Sequence, residues 1–264
     1  MKTTRFIYII YIIFIVIFSF FTITSCSGNR VQNNPRQLKR GTPEYDLNEA
    51  LFYLNAGDIQ AAEPKLVSAL KKDPNLVGAI NALGIVYLNK RDFDNAVKQF
   101  RRVIQLNPKF YDAYNYLGVI FTETGKYELA KENLLVAANA ETYRTPENAY
   151  ANLAALELNN NKLEQALRYV EKGLEKNKNF APLYNLKGII YENCKEYRTA
   201  ISNYEKALSL LTEDDPMFLV NIGRTYAKMG KKRKALDILE KALPKANSPG
   251  LKKQIIASIK ELEK

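Results

Sequence analysis

The chain has 264 residues with 39 lysines and arginines against 28 acids, a formal net charge of +11, and no histidine at all. Without histidine it lacks the commonest general base, the commonest metal ligand and every Ser-His or Cys-His nucleophile, and no glycine-rich phosphate loop is present either, so no enzyme chemistry and no cofactor or metal site is expected. The excess charge gathers at the ends: residues 27–42 hold four basic side chains and no acid, residues 228–264 hold 11 against 4, and residues 43–227 hold 22 against 24.

The first element in chain order is an N-terminal leader. Lys2 and Arg5 precede an uncharged apolar run from Phe6 to Ile23, slightly short for a bilayer span and closed by small polar residues, the arrangement of a secretion signal over residues 1–25. Ile23-Thr24-Ser25-Cys26 then resembles the lipobox of bacterial lipoproteins, which implies diacylation of Cys26, cleavage before it and acylation of the new amino terminus. A chance cysteine beside an uncleaved signal anchor is the alternative. Several acyl chains on one residue would hold the chain at the membrane permanently. Ser27 stands where aspartate would favour the inner membrane, so the resemblance points to the periplasmic face of the outer membrane. Residues 26–42 form a basic linker, whose lysines and arginines are drawn to anionic headgroups.

From residue 43 a unit of about 34 residues repeats. A first small residue recurs at Ala50, Gly84, Gly118, Ala154, Gly188 and Gly223, and a second follows each by twelve, at Ala62, Ala96, Ala130, Ala166, Ala200 and Ala235. Tyr53, Tyr87, Phe121, Tyr191 and Tyr226 lie three beyond the first small position and are expected in the core. With Leu83-Gly84, Tyr87, Ala96, Phe100 and Pro108 in register, the unit resembles the tetratricopeptide repeat, two antiparallel helices per unit. The resemblance implies an all-α, right-handed superhelical solenoid of six repeats over residues 43–248. The two small positions are expected to let the paired backbones approach closely.

Asp73-Pro74, Asn107-Pro108 and Asp215-Pro216 mark junctions between units, since proline cannot continue a helix and extends the residue before it. Gly57, Gly125 and Gly230 mark turns inside units. Glu213-Asp214-Asp215 precedes a helix start and reads as capping, with Asp215 ahead of Pro216, rather than as a metal site. Cys194, near the end of a helix, is expected to be a partly buried small residue. After Ser248-Pro249-Gly250, the spacing of Leu251, Ile255, Ile259 and Leu262 predicts a capping helix over residues 249–264 with Ser248 as N-cap.

In the tetratricopeptide family a concave groove is lined by fixed positions of the first helix. Carried over, these are Asn81, Asn115 and Asn185 at the fifth, Ile85, Val119, Ala155 and Ile189 at the ninth, and Leu88 and Leu158 at the twelfth. Such a groove is apolar with amide edges and suits a peptide segment laid along it; the alternative is that these residues pack on one another. Only Arg224 and Lys228 match the basic positions by which chaperone-binding members grip a carboxylate.

A leader and lipobox ahead of six such repeats resembles the pilotin lipoproteins of type IV pilus biogenesis. The likeness is closest from Ala113 to Asn177, where Asn115-x-x-Gly118 is followed by a longer junction holding Tyr143 and Pro146 and then by Asn152-Leu153-Ala154. It implies a lipid-anchored protein that binds a secretin subunit and promotes its passage to, and assembly in, the outer membrane. A general adaptor lipoprotein that recruits peptidoglycan enzymes or proteases is the alternative, and a carboxylate-only enzyme a remote one. Nucleic acid and small-molecule substrates are not implied.

Overall fold

A computed structural model of the chain describes residues 39–264; the leader, the lipobox with Cys26 and the linker through Leu38 lie outside the described residues. Among the described residues there are thirteen α-helices, a short 3-10 turn at Leu243–Lys245 and no strand. No described helix is long and apolar enough to cross a membrane. The fold is the all-α tetratricopeptide solenoid that the repeats imply, and it forms two compact units, residues 39–143 and 144–264.

The first unit stacks three helical hairpins: α1 (Pro43–Asn55) with α2 (Ile59–Lys72), α3 (Val77–Asn89) with α4 (Phe93–Leu106), and α5 (Tyr111–Glu123) with α6 (Tyr127–Ala138). The second stacks three more, α7 (Pro146–Asn159) with α8 (Leu163–Lys176), α9 (Ala181–Asn193) with α10 (Tyr197–Ser209), and α11 (Pro216–Lys228) with α12 (Lys232–Ala242). α13 (Pro249–Glu263) then packs on α11 and α12, burying Leu251 and Ile255 where the last hairpin would otherwise expose its apolar side. Its N-cap is Ser248, whose hydroxyl accepts from the Leu251 N–H at 3.2 Å.

The glycines work differently from a simple backbone approach. Sixteen residues after each first small position, the second helix presents one fully buried side chain: Leu66, Phe100, Leu134, Val170, Tyr204 and Leu239. A Cβ on Gly84 would lie 2.8 Å from Phe100 Cε1, one on Gly223 2.8 Å from Leu239 Cγ, and one on Gly188 2.5 Å from Tyr204 Cδ1. What the missing Cβ accommodates is therefore chiefly a large side chain of the partner helix, with backbone nearby only as far as 3.2 Å at Gly118 and 3.4 Å at Gly223.

The hairpin turns share one conformation that the residue types conceal. Seven residues after each first small position the backbone is left-handed, with φ between 57° and 77°, at Gly57, Arg91, Gly125, Asn161, Lys195 and Gly230. Three of the six are not glycine, and a left-handed side-chain-bearing residue costs about 1–2 kcal/mol. Between hairpins, Asp73, Asn107 and Asn177 are extended and each side-chain oxygen accepts an N–H two residues on, at 2.9–3.1 Å. Proline follows only the first two; the side-chain turn is what these three junctions have in common.

Two expectations are corrected. Of the aromatic set only Phe121 is buried, while Tyr53, Tyr87, Tyr191 and Tyr226 are half-buried. A tyrosine hydroxyl favours a wet edge that phenylalanine does not require, and Tyr87 still packs its ring against the core of the first hairpins. Cys194 is exposed rather than partly buried; it is the C-cap of α9, beyond the last residue whose side chain the helix turns inward.

Candidate binding surface

Tyrosines aside, every buried polar or charged side chain among the described residues lies on the first helix of a hairpin. Asp46 is on α1, Asn81 on α3, Glu147 and Glu157 on α7, Asn185 and Glu192 on α9, and Asn221 and Thr225 on α11. Burying a polar group is unfavourable unless it is hydrogen-bonded, so their segregation marks the first helices as the chemically specific face. α1 lies beside α3, α7 beside α9 and α9 beside α11; the second helices bury aliphatic and aromatic residues.

In the first unit, Asn81 is 5% exposed and its Oδ1 accepts no hydrogen bond. One turn on, Ile85 is buried and its carbonyl accepts from Asn89 Nδ2 at 2.9 Å. Val119 on α5 is buried, whereas Leu88 and Asn115 are half-buried and carry the accessible part of this set. At the ends of these helices Arg91 pairs with Glu123 at 3.4 Å; burial raises the Glu123 pKa and the arginine only partly offsets it. Tyr143, from the longer junction, is buried against Tyr111 with ring centroids 5.9 Å apart, and its hydroxyl donates to Asp112 at 2.8 Å. Burial raises the Asp112 pKa despite that bond.

In the second unit, Asn185 is 1% exposed and part of its amide is already engaged, its Oδ1 accepting from Asn221 Nδ2 at 2.9 Å. Ile189, Ala155 and Leu158 are buried. The most elaborate group is centred on Glu192. Tyr204 Oη donates to its carboxylate at 3.0 Å, Thr225 Oγ1 at 2.7 Å, Lys228 Nζ forms a short ion pair with it and Arg224 approaches to 3.8 Å. Burial pushes the Glu192 pKa up, but Arg224, Lys228 and the Thr225 hydroxyl outweigh it and hold the carboxyl below its usual value. Burial, then the neighbouring carboxylate, drives the Tyr204 phenol well above its ordinary range.

Arg224 and Lys228, the two residues at basic groove positions, are thus gripping a carboxylate of their own chain. The readable signal was an acid one repeat upstream, Glu192 standing 36 residues before Lys228. Asp215 caps α11, accepting from the Met217 N–H at 2.7 Å, and Asp214 pairs with Lys241 at 3.0 Å and Lys245 at 3.7 Å. Both acids are accounted for by structure. The predicted site residues therefore assemble in two sets, Asn81, Ile85, Leu88, Asn115 and Val119 in one unit and Asn185 and Ile189 in the other. Cys26 lies outside the described residues.

Comparison with known proteins agrees with this architecture. Residues 81–141 match the tetratricopeptide repeat family, and residues 135–260 match the family described as the tetratricopeptide repeat protein 21 C-terminal ARM domain. The TPR repeat-containing protein MJ0263 of Methanocaldococcus jannaschii is 33% identical over 97 residues, which are 35% of this chain and 30% of that protein; the match spans less than a third of the relative's length. Among solved structures, Pseudomonas aeruginosa PilF superposes with a TM-score of 0.65 at 21% identity over 82% of this chain and 97% of its own. PilW, described as a widely conserved type IV pilus biogenesis factor, gives 0.69 at 17% identity over 81% and 98%. The Cut9–Hcn1 hetero-tetramer of the APC/C gives 0.69 at 20% identity over 81% of this chain and 43% of the matched one. At such identities the likeness establishes the fold. Repeat register, matched families and helical architecture together make this chain a tetratricopeptide-repeat protein, of the kind that mediates protein interactions.

Proposed function

We propose that the chain is a lipid-anchored envelope scaffold whose first-helix face holds a segment of a partner protein. The observation that carries this reading is Asn81. Its buried Oδ1 accepts no hydrogen bond, a state costing about 1–3 kcal/mol, and a partner that opens the packing over it and presents a peptide N–H relieves it. Leu88 and Asn115, half-buried beside the packed Ile85 and Val119, supply apolar area and a second amide. That is the chemistry of an extended or helical segment laid along a groove.

The finer reading is a pilotin that binds a secretin subunit and promotes its assembly in the outer membrane, with Cys26 acylated and the repeats on the periplasmic side. It is supported by the fold shared with PilF and PilW, by the type IV pilus role in the description of PilW, and by the lipobox. A tether also raises the effective concentration of partner and membrane for one another. The test is crosslinking in intact cells, capture through a C-terminal tag and identification of what is bound. Recovery of a secretin, lost with Asn81→Leu and with Cys26→Ala, is the expected result. Recovery of peptidoglycan enzymes or proteases without a secretin would move the chain to the general adaptor class.

A further inference from the structure

The C-terminal end of the second unit carries a charged surface that partner binding by the first helices leaves unused. Residues 228–264 hold 11 basic side chains against 4 acidic ones. Lys228 is committed to Glu192, and Lys241 and Lys245 to Asp214. Among the described residues the remaining eight form no ion pair, and all are exposed. On α13, Leu251 and Ile255 are buried against α11 and α12, while Lys253 and Lys260 stand on the opposite, solvent side, and the exposed Lys264 follows four residues on, just past the helix end. At the start of the adjoining α12, Lys231 and Lys234 flank the half-buried ring of Tyr226, with ammonium nitrogens 5.9 and 5.7 Å from its centroid. The ring fixes where these two charges sit.

We infer that this face, the outer side of α13 with residues 231–234 of α12, docks on the anionic phospholipid headgroups of a membrane. The composition selects that partner. Seven of the eight uncommitted cations are lysine, compact hydrated point charges on flexible stems, whereas geometric recognition of a phosphate or carboxylate on a folded partner draws on the planar fork of arginine. They are also spread along a helix about 20 Å long, which matches a sheet of headgroups rather than a single anion. Each lysine held near such a surface strengthens binding about fivefold, and screening removes the effect within a Debye length. The inference rests on the lipid-anchored reading in supposing a bilayer within reach. It then makes the membrane a second point of attachment, so that the repeats are oriented relative to it and not merely tethered.

The test is lysine acetylation, read by mass spectrometry, of the full-length chain reconstituted on vesicles of phosphatidylcholine alone or mixed with phosphatidylglycerol. Flotation with the neutral vesicles reads the N-terminal anchor by itself, so loss of the anchor and loss of the docking face give separate signals. On anionic vesicles Lys253, Lys260 and Lys264 should be acetylated about fivefold more slowly than on neutral ones, recovering at high salt, with Lys98 and Lys109 unaffected. The variant K253Q/K260Q/K264Q, altered only at exposed positions, should weaken the docking about a hundredfold and restore fast acetylation of Lys231, Lys232 and Lys234. Equal rates on both vesicle types would overturn the inference. So would protection that appears on neutral vesicles only when DNA or an acidic polypeptide is added.

Discussion

Gly188→Ala is the substitution in which helix propensity and packing disagree most. Inside α9, alanine in place of glycine should stabilise the helix by about 1 kcal/mol. The new Cβ, however, would lie 2.5 Å from Tyr204 Cδ1 and 2.9 Å from Cζ, nearer still to Cε1. Tyr204 is fully buried and its hydroxyl is held by Glu192 at 3.0 Å, so the ring cannot turn aside without breaking that bond. Overpacking costs about 1–3 kcal/mol and loss of a hydrogen bond to a charged group about 1.5–3 kcal/mol. Net of propensity, Gly188→Ala should destabilise by about 1.5–5 kcal/mol. Gly84→Ala provides the control. Its Cβ would meet Phe100 Cε1 at 2.8 Å, and a ring with no polar anchor has room to shift, so the net loss should be about 0–2 kcal/mol. Guanidinium unfolding of both variants, and of Gly188→Ala combined with Tyr204→Val, measures the coupling. In the Tyr204→Val background, which reproduces the native Ala154–Val170 pair, Gly188→Ala should be close to neutral. A Gly188→Ala protein as stable as the wild type, or additivity in the double variant, would refute the assignment of this glycine to the tyrosine ring.

Two further outcomes follow from the turns and from the buried carboxylate. Lys195→Gly relieves a left-handed residue at φ 64° and should raise stability by up to about 1 kcal/mol after the added freedom of the unfolded chain is counted; Asn161→Gly should gain less, because asparagine tolerates this conformation, and thermal melts that rank the two the other way would count against the explanation. The Glu192 carboxyl has a folded pKa below its unfolded value, so its contribution is full above the ordinary glutamate range and is lost as pH falls through the folded pKa. Asp112 and Glu123 act in the opposite sense: their folded pKa values are raised, so their contribution is present at low pH and is lost as pH rises through them. Glu192→Gln should therefore lower stability at neutral pH by about 1–3 kcal/mol, with the deficit shrinking under acid, and a deficit independent of pH in urea titrations would exclude the ionised hub.

The repeat register carried the architecture because a tetratricopeptide hairpin is determined by local rules. Two small positions twelve residues apart, a proline or asparagine junction and a turn seven residues past the first small position are all contained in one unit. Ser248, Pro249 and the apolar spacing of Leu251 and Ile255 likewise placed the last helix. Where the reading missed, spacing along the helix did not fix how deeply the residue is buried. The tyrosines after the first small position are half-buried, as suits a ring with a polar tip. Cys194 was exposed because the helix ends before it.

The candidate surface divides along the same line. Which residues fall on the first helices was legible from position, and so were the two cations at Arg224 and Lys228. That those cations hold Glu192, that Tyr204 and Thr225 complete its hydrogen bonds, and that Tyr143 reaches Asp112 are contacts between residues 12 to 36 apart in the chain. By itself the sequence determined the repeat, several junctions and turns, the cap and the basic ends, all of which follow from composition, backbone preferences and spacing over a few turns. Only the tertiary structure decided which polar groups are buried, which of them find partners, and that Asn81 Oδ1 does not, because burial and pairing depend on what neighbouring hairpins bring against each face.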